Sequence, residues 1–279
     1  ALGSSLVPSE RQGHALAVVF SGMTIATVLG VPLSTWLGTA IGWRPTFILI
    51  GVVTFGIAAL VAVFVSDGGP GQRVNLGHML DVFARPSTAA GIAVMVLEMA
   101  GLFATYTMIA PLLRDRFDAG VEAVSAVLMV YGIAGVLGNV LARRIAQVWT
   151  ADRAVTVALI ALMVVFAALF LVPGKLPFAV VLLVVWAIGS DIFMPSQQRR
   201  MVELAPEVRG LVLALNASAI YVGMAVGSFA AGGLLPVTGL HGLPVVSLVF
   251  LAFGLGALAV SRRYAKSALP PETRDGVPN

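Results

Sequence analysis

The sequence predicts an all-α membrane protein, a polytopic bundle of eight transmembrane helices, on three observations. First, 59% of the 279 residues are hydrophobic and 11% are charged, against about 45–50% and about 25% in soluble domains. Second, Lys, Arg, Asp and Glu are absent from residues 12–43, 45–66, 123–142, 154–174 and 210–261, and each run reaches the ~20 residues that cross ~30 Å of hydrocarbon. Third, counted over alternate loops, thirteen cations fall on one side and four (Arg44, Arg114, Arg116 and Lys175) on the other. Under the positive-inside rule the side with thirteen, which holds the start of the chain, the segment 67–87 and the tail, is cytoplasmic.

The expected spans run 14–41, 45–66, 88–113, 121–142, 153–173, 177–198, 209–235 and 243–261. They are too long and too evenly apolar for barrel strands of about ten alternating residues. Helices are the other way to satisfy a spanning backbone.

In the first span Gly22, Ala26, Gly30, Ser34 and Gly38 recur every fourth residue, with Pro32 inside the series. Such a ridge of small residues lets two membrane helices approach backbone to backbone. After the second span, Asp67-Gly68-Gly69-Pro70-Gly71 is a breaker cluster. Leu76, Met79, Leu80 and Phe83 then have the spacing of a short helix lying on the cytoplasmic face.

The third span carries Glu98, ten residues in and so about 15 Å deep at ~1.5 Å per residue. An ionised acid at that depth costs roughly 2.5–3.5 kcal/mol. Glu98 is therefore expected to face a cavity, to be paired or to carry a proton. The fourth span holds Gly132, Gly135 and Gly138; its Tyr131 and Asn139 are expected to face packed neighbours. Asp191 is the acid of the sixth span, nearer the cytoplasmic side, and Pro195 has no N–H to donate to its carbonyl. The long run 210–261 accommodates two spans turning near Pro236 to Pro244, and Ala219, Gly223, Gly227 and Ala231 repeat the small-residue ridge. Close helix contacts are expected where the halves of the protein meet.

Several function classes drop out. The chain has no cysteine and three scattered histidines, which leaves no disulfide and no ligand cluster for a metal. No phosphate-binding loop is present, and no cofactor is expected. Cations never run longer than two in a row, so the basic balance reflects topology and no nucleic-acid partner is expected.

Residues 8–13, Pro-Ser-Glu-Arg-Gln-Gly, are echoed by residues 206–210, Pro-Glu-Val-Arg-Gly, six hydrophobic segments later. A unit recurring every six spans implies two six-span halves, of which this chain holds the end of the first.

The string Gly22-Met23-Thr24-Ile25-Ala26-Thr27-Val28-Leu29-Gly30-Val31-Pro32-Leu33-Ser34-Thr35-Trp36-Leu37-Gly38, followed by Gly42-Trp43-Arg44-Pro45-Thr46-Phe47, closely resembles the fifth helix of major facilitator superfamily proteins of the drug:proton antiporter type. The nearest likeness is to bacterial efflux permeases for sugars, purines and drugs. In that family the Gly/Pro segment is the antiporter motif at the interface between halves. The cytoplasmic loop with Arg11, the short basic loop from Gly138-Asn139 to Arg143-Arg144, and the loop with Arg209 also resemble family features. The chain departs from the pattern at Val31-Pro32 and Ser34-Thr35, and its basic loop lacks the usual acid unless Asp152 serves.

The resemblance implies helices five to twelve of a twelve-helix, two-half fold. Residues 1–66 would end the N-terminal half, 67–87 form the central cytoplasmic loop, 88–264 the C-terminal six-helix half and 265–279 a cytoplasmic tail. It implies proton-coupled efflux of a small organic solute across a bacterial inner membrane, not an enzyme; the intramembrane acids Glu98 and Asp191 are the candidates to carry the proton, the other reading of each being a structural hydrogen-bonding role. Thr105, Tyr106, Asn216 and Tyr221, on spans that match cavity-facing helices seven and eleven, become candidate solute contacts. Expected partners are the solute, the proton, the lipid bilayer and the N-terminal helices missing from this chain. The alternatives are an uptake symporter and a membrane scaffold or inactive remnant that does not transport.

Overall fold

The computed structural model describes residues 30, 33, 34, 36–38, 40–64 and 76–267, and every regular element among them is helical. Among the described residues six helices are long and apolar enough to cross a membrane. The chain divides into two units, Ala1–Arg73 and Val74–Asn279. In the first, Gly42 takes a left-handed conformation (φ 86°) before α1 (Trp43–Phe64). This helix is apolar all round, with Phe47, Val52 and Phe55 exposed, as suits a helix surrounded by hydrocarbon rather than water. Gly22, Ala26, Pro32, the loop with Arg11, and most of the span expected over 14–41 lie outside the described residues.

The second unit opens with the short α2 (Leu76–Ala84), in which Val82 is buried while Leu80 and Phe83 are exposed. Next come α3 (Pro86–Tyr106), α4 (Ile109–Phe117), α5 (Val121–Val148), α6 (Ala151–Leu171) and α7 (Leu176–Leu204). A single 3-10 turn, Pro206–Val208, leads into α8 (Arg209–Ser267).

Pro86 sits at the start of α3, where its missing N–H costs nothing. The span expected over 88–113 does not run through: the chain turns at Thr107 and Met108 before α4. Pro111 explains the break, because it cannot donate to the Thr107 carbonyl four residues back. The helix expected to end at residue 198 continues to Leu204. Two arginines extend it: Arg199 bonds Glu203 one turn on at 2.7 Å, and Arg200 bonds Asp152 of α6 at 2.6 Å.

The 59 residues of α8 would reach about 90 Å as a straight rod. They do not form one: Gly239 (φ 61°, ψ 178°) breaks the helix between Pro236 and Pro244. Along the first arm Gly223 meets Val96 and Met99, and Gly227 meets Ala100, so this arm runs parallel to α3. Along the second arm Leu251 meets Gly101, Gly254 meets Leu97 and Ser261 bonds the Ser87 carbonyl, so this arm runs antiparallel to α3. The turn expected near Pro236 to Pro244 is therefore present, and α3 is the spine between the two arms.

The small residues of α5 and α8 meet partners within this unit. Close contacts were expected where two halves meet, whereas Gly223 and Gly227 lie against α3 within this unit, and Gly138 of α5 lies against Ile188 of α7. Backbones touch here because the glycines present no side chain. Met95, Leu159, Leu162, Phe166, Trp186 and Phe193, all fully buried, fill the space behind them. Arg116, its pKa lowered from the ordinary value by burial, closes one end of α6 by donating to the carbonyls of Leu169, Phe170 and Val172.

Candidate functional site

Glu98 sits in the middle of α3 with no exposed surface, one turn from fully buried Val94 and Met95 and near-buried Leu102. Neither of its carboxyl oxygens has a hydrogen-bond partner among the described residues. A buried carboxylate without a donor or counter-ion is among the costliest groups a protein can hold. Asp191, on α7, is within electrostatic range of it. The two carboxyls repel whenever both are charged.

Asp191 is half-buried and rests against α5. Its carboxyl fills the space above Gly135, where a Cβ would stand 2.7 Å from Oδ2. The Asn139 amide donates to Oδ1 at 2.7 Å. Asn139, expected to face packed neighbours, donates to an intramembrane acid of the neighbouring α7.

Aromatic rings stand beside the acids. Tyr106 lies 5.6 Å from Tyr131 and 6.0 Å from Trp186, centroid to centroid, and Tyr131 lies 5.8 Å from Trp186. Phe166 backs the indole at 4.6 Å. Edge and tilted packings of this kind hold rings rigidly. Glu98 and Asp191 both act electrostatically on Tyr131, so acids and rings share one region. The buried Trp186 Nε1 has no partner among the described residues.

A second polar cluster lies at the end of the bundle that joins α3, α6, α7 and α8. Arg200, with 3% of its side chain exposed, donates to Asp152 at 2.6 Å and to Ser261 at 2.8 Å. Arg262 approaches the same Asp152 carboxylate at 3.2 Å and donates to the Asp152 carbonyl at 2.6 Å and to the Thr156 hydroxyl. Gln197 donates to the Gly91 carbonyl at 2.7 Å. One acid thus ties two cations from different helices, an arrangement that fixes helix ends rather than reacting.

The residues singled out from the sequence are distributed unevenly over this frame. Tyr106 stands with the acids. Thr105 is fully buried and its hydroxyl bonds Ser247 of the second arm at 2.6 Å, so its polar group is engaged in helix packing. Asn216 is fully buried with neither amide atom partnered. Tyr221 is 72% exposed. Arg143, Arg144 and Arg209 are exposed. No described atom comes within 4 Å of where a Cβ on Gly30 or Gly38 would stand. Sequence reasoning did not single out Trp186, Arg200 or Ser247; a Trp and a Ser in apolar runs and an Arg beside a span are each common, and only their neighbours distinguish them.

A family model described as Major Facilitator Superfamily matches residues 1–228 and 91–278. An inner membrane transport protein, YdhP, from Escherichia coli (strain K12) is 32% identical over 270 residues, covering 94% of this chain and 67% of that protein. A probable sugar efflux transporter from Mannheimia succiniciproducens is 26% identical over 262 residues, covering 93% of this chain and 64% of that one. The chain spans about two thirds of the length of these relatives. In fold it is similar to the crystal structure of a bacterial homologue of the human lysosomal transporter Spinster, inward-facing and unoccupied, with a TM-score of 0.64 at 16% identity over 97% of this chain and 75% of that one.

Proposed function

Because this chain belongs to the major facilitator superfamily, and is therefore a multi-pass membrane transport protein and not an enzyme, we propose that the protein expels a small organic solute in exchange for protons by alternating access. The observation that carries this reading is Glu98: an acid in the middle of an apolar helix, wholly buried, with both oxygens unpartnered. Such a group is tolerable as a neutral acid and costly as an anion, so proton binding and release change the energy of the packing around it. Asp191 is the second acid of the pair, and the repulsion between them favours one shared proton over none.

Tyr106, with Tyr131 and Trp186, forms the aromatic wall a ring-bearing or sugar-like solute would contact. Asn216 and Tyr221 stay as further candidates. Residues 67–87 would join the halves and 88–264 form the second six-helix half, with two crossings in α8. The excess of thirteen cations over four supports a cytoplasmic location for both ends of the chain. The direction is supported by the likeness of the Gly/Pro segment to antiporters and by the relative named for sugar efflux.

The test is flux in proteoliposomes holding the protein expressed from its complete coding sequence, screened with labelled sugars, purines and antibiotics. An inward proton gradient should drive solute against the proton flow, and collapsing the gradient should stop it. Solute and proton moving in the same direction would replace efflux with uptake.

A further inference from the structure

Three residues of α5 build a seat for Asp191. At Gly135 the missing side chain leaves room for the carboxyl, since a Cβ would stand 2.7 Å from Oδ2. At Gly138 it lets the helices touch, since a Cβ would stand 2.9 Å from both the Asp191 Cβ and the Ile188 Cα. Asn139, the next residue, donates from Nδ2 to Oδ1 at 2.7 Å. We infer that Asn139 is a positioning residue, whose amide fixes the Asp191 carboxyl in this notch and so sets where the second intramembrane acid meets proton and solute.

The inference rests on the reading of Asp191 as a coupling group. The glycines alone would admit the carboxyl without orienting it, because rotation about the last torsion of Asp is soft. A single donor to Oδ1 fixes the carboxyl plane and sets Oδ2 over Gly135. The donor is neutral, which matters here. Lys or Arg at position 139 would trap the acid in an ion pair, and no cation occurs in residues 123–142, 154–174 or 176–198 of the packed helices. An amide holds the group while leaving its charge uncompensated. Asp191 also needs an outside hold: Pro195 gives its carbonyl no donor one turn on, so this turn of α7 is tied less by its own ladder than by α5.

The test uses N,N′-dicyclohexylcarbodiimide, an apolar reagent for protonated carboxyls, on the protein from its complete coding sequence in native membranes, with modified peptides read by mass spectrometry. The chain has no cysteine to compete for the reagent. In Asn139→Leu, close in size but without a donor, and in Asn139→Ala, Asp191 should be modified about fivefold faster than in the natural protein, the factor one lost hydrogen bond supplies. The rate at Glu98 should rise less than that at Asp191, and the melting temperature in detergent should fall by no more than one lost hydrogen bond accounts for. Unchanged modification of Asp191 in both variants would overturn the inference. So would equal acceleration at Asp191 and Glu98 with a lower melting temperature, which would make Asn139 a packing residue only. The readout needs no transport: full proton-driven flux in Asp191→Asn would remove Asp191 from the coupling reading while leaving the labelling result to stand.

Discussion

Gly227 of α8 lies so close to Ala100 of α3 that a Cβ on Gly227 would stand 2.3 Å from the Ala100 carbonyl oxygen. One turn earlier Gly223 is equally tight against Val96. The first arm of α8 is therefore pressed backbone to backbone onto the helix that carries Glu98, and the acid's surroundings depend on that contact.

Gly227→Val and Gly223→Val should each force the two helices apart. Overpacking of this kind costs roughly 1–3 kcal/mol, visible as a lower melting temperature in detergent and a smaller folded yield. Gly256→Ala, at a position with no neighbour within 4 Å of the new Cβ, should match the natural protein. Equal behaviour of the three variants would contradict the packing.

The polar cluster predicts a ranking. Asp152→Ala leaves Arg200, almost fully buried, facing Arg262 with no anion between them. Removing one partner of a buried pair costs about 3–5 kcal/mol; Asp152 is half exposed, so water reduces the loss toward or below the lower figure. Arg262→Ala keeps the Arg200–Asp152 bond and should cost less, about 1 kcal/mol. Thermal unfolding of the two variants side by side reads the order, and a reversed order would refute it.

Much of this frame is legible in the chain. Charge-free runs give the spans, and Pro236 and Pro244 bracket the break at Gly239. Glu98 is readable as an anomaly because an acid ten residues into an apolar run has no cheap explanation. What the sequence leaves open is rotation about helix axes. Four small residues in register mark a face of α8 but not its partner, which turns out to be α3 rather than a helix of another half. Asn139 and Asp191 stand 52 residues apart, and Arg200 and Asp152 stand 48 apart. Such pairs exist only once α5, α6 and α7 have packed. Pro111, by contrast, was an available sign that the third span ends early.

Thr105 and Tyr106 are neighbours with opposite expected behaviour. The Thr105 hydroxyl is occupied by Ser247 at 2.6 Å, so Thr105→Val and Ser247→Ala should show a coupling of ~0.6 kcal/mol in a double-mutant cycle on stability and leave solute KM unchanged. Tyr106→Ala removes a ring from the aromatic wall and should raise KM about fivefold, in keeping with the worth of one aromatic contact. A Thr105→Val variant with raised KM would return that hydroxyl to the solute site.

The most direct test of the central claim is proton-driven efflux by Glu98→Gln in the protein expressed from its complete coding sequence. Gln matches the neutral acid in size and cannot release a proton, so the variant should insert and melt like the natural protein. Its pH-gradient-driven efflux should be abolished, while exchange of labelled for unlabelled solute at equal pH persists. Efflux at the natural rate in Glu98→Gln would contradict the account and take Glu98 out of the mechanism.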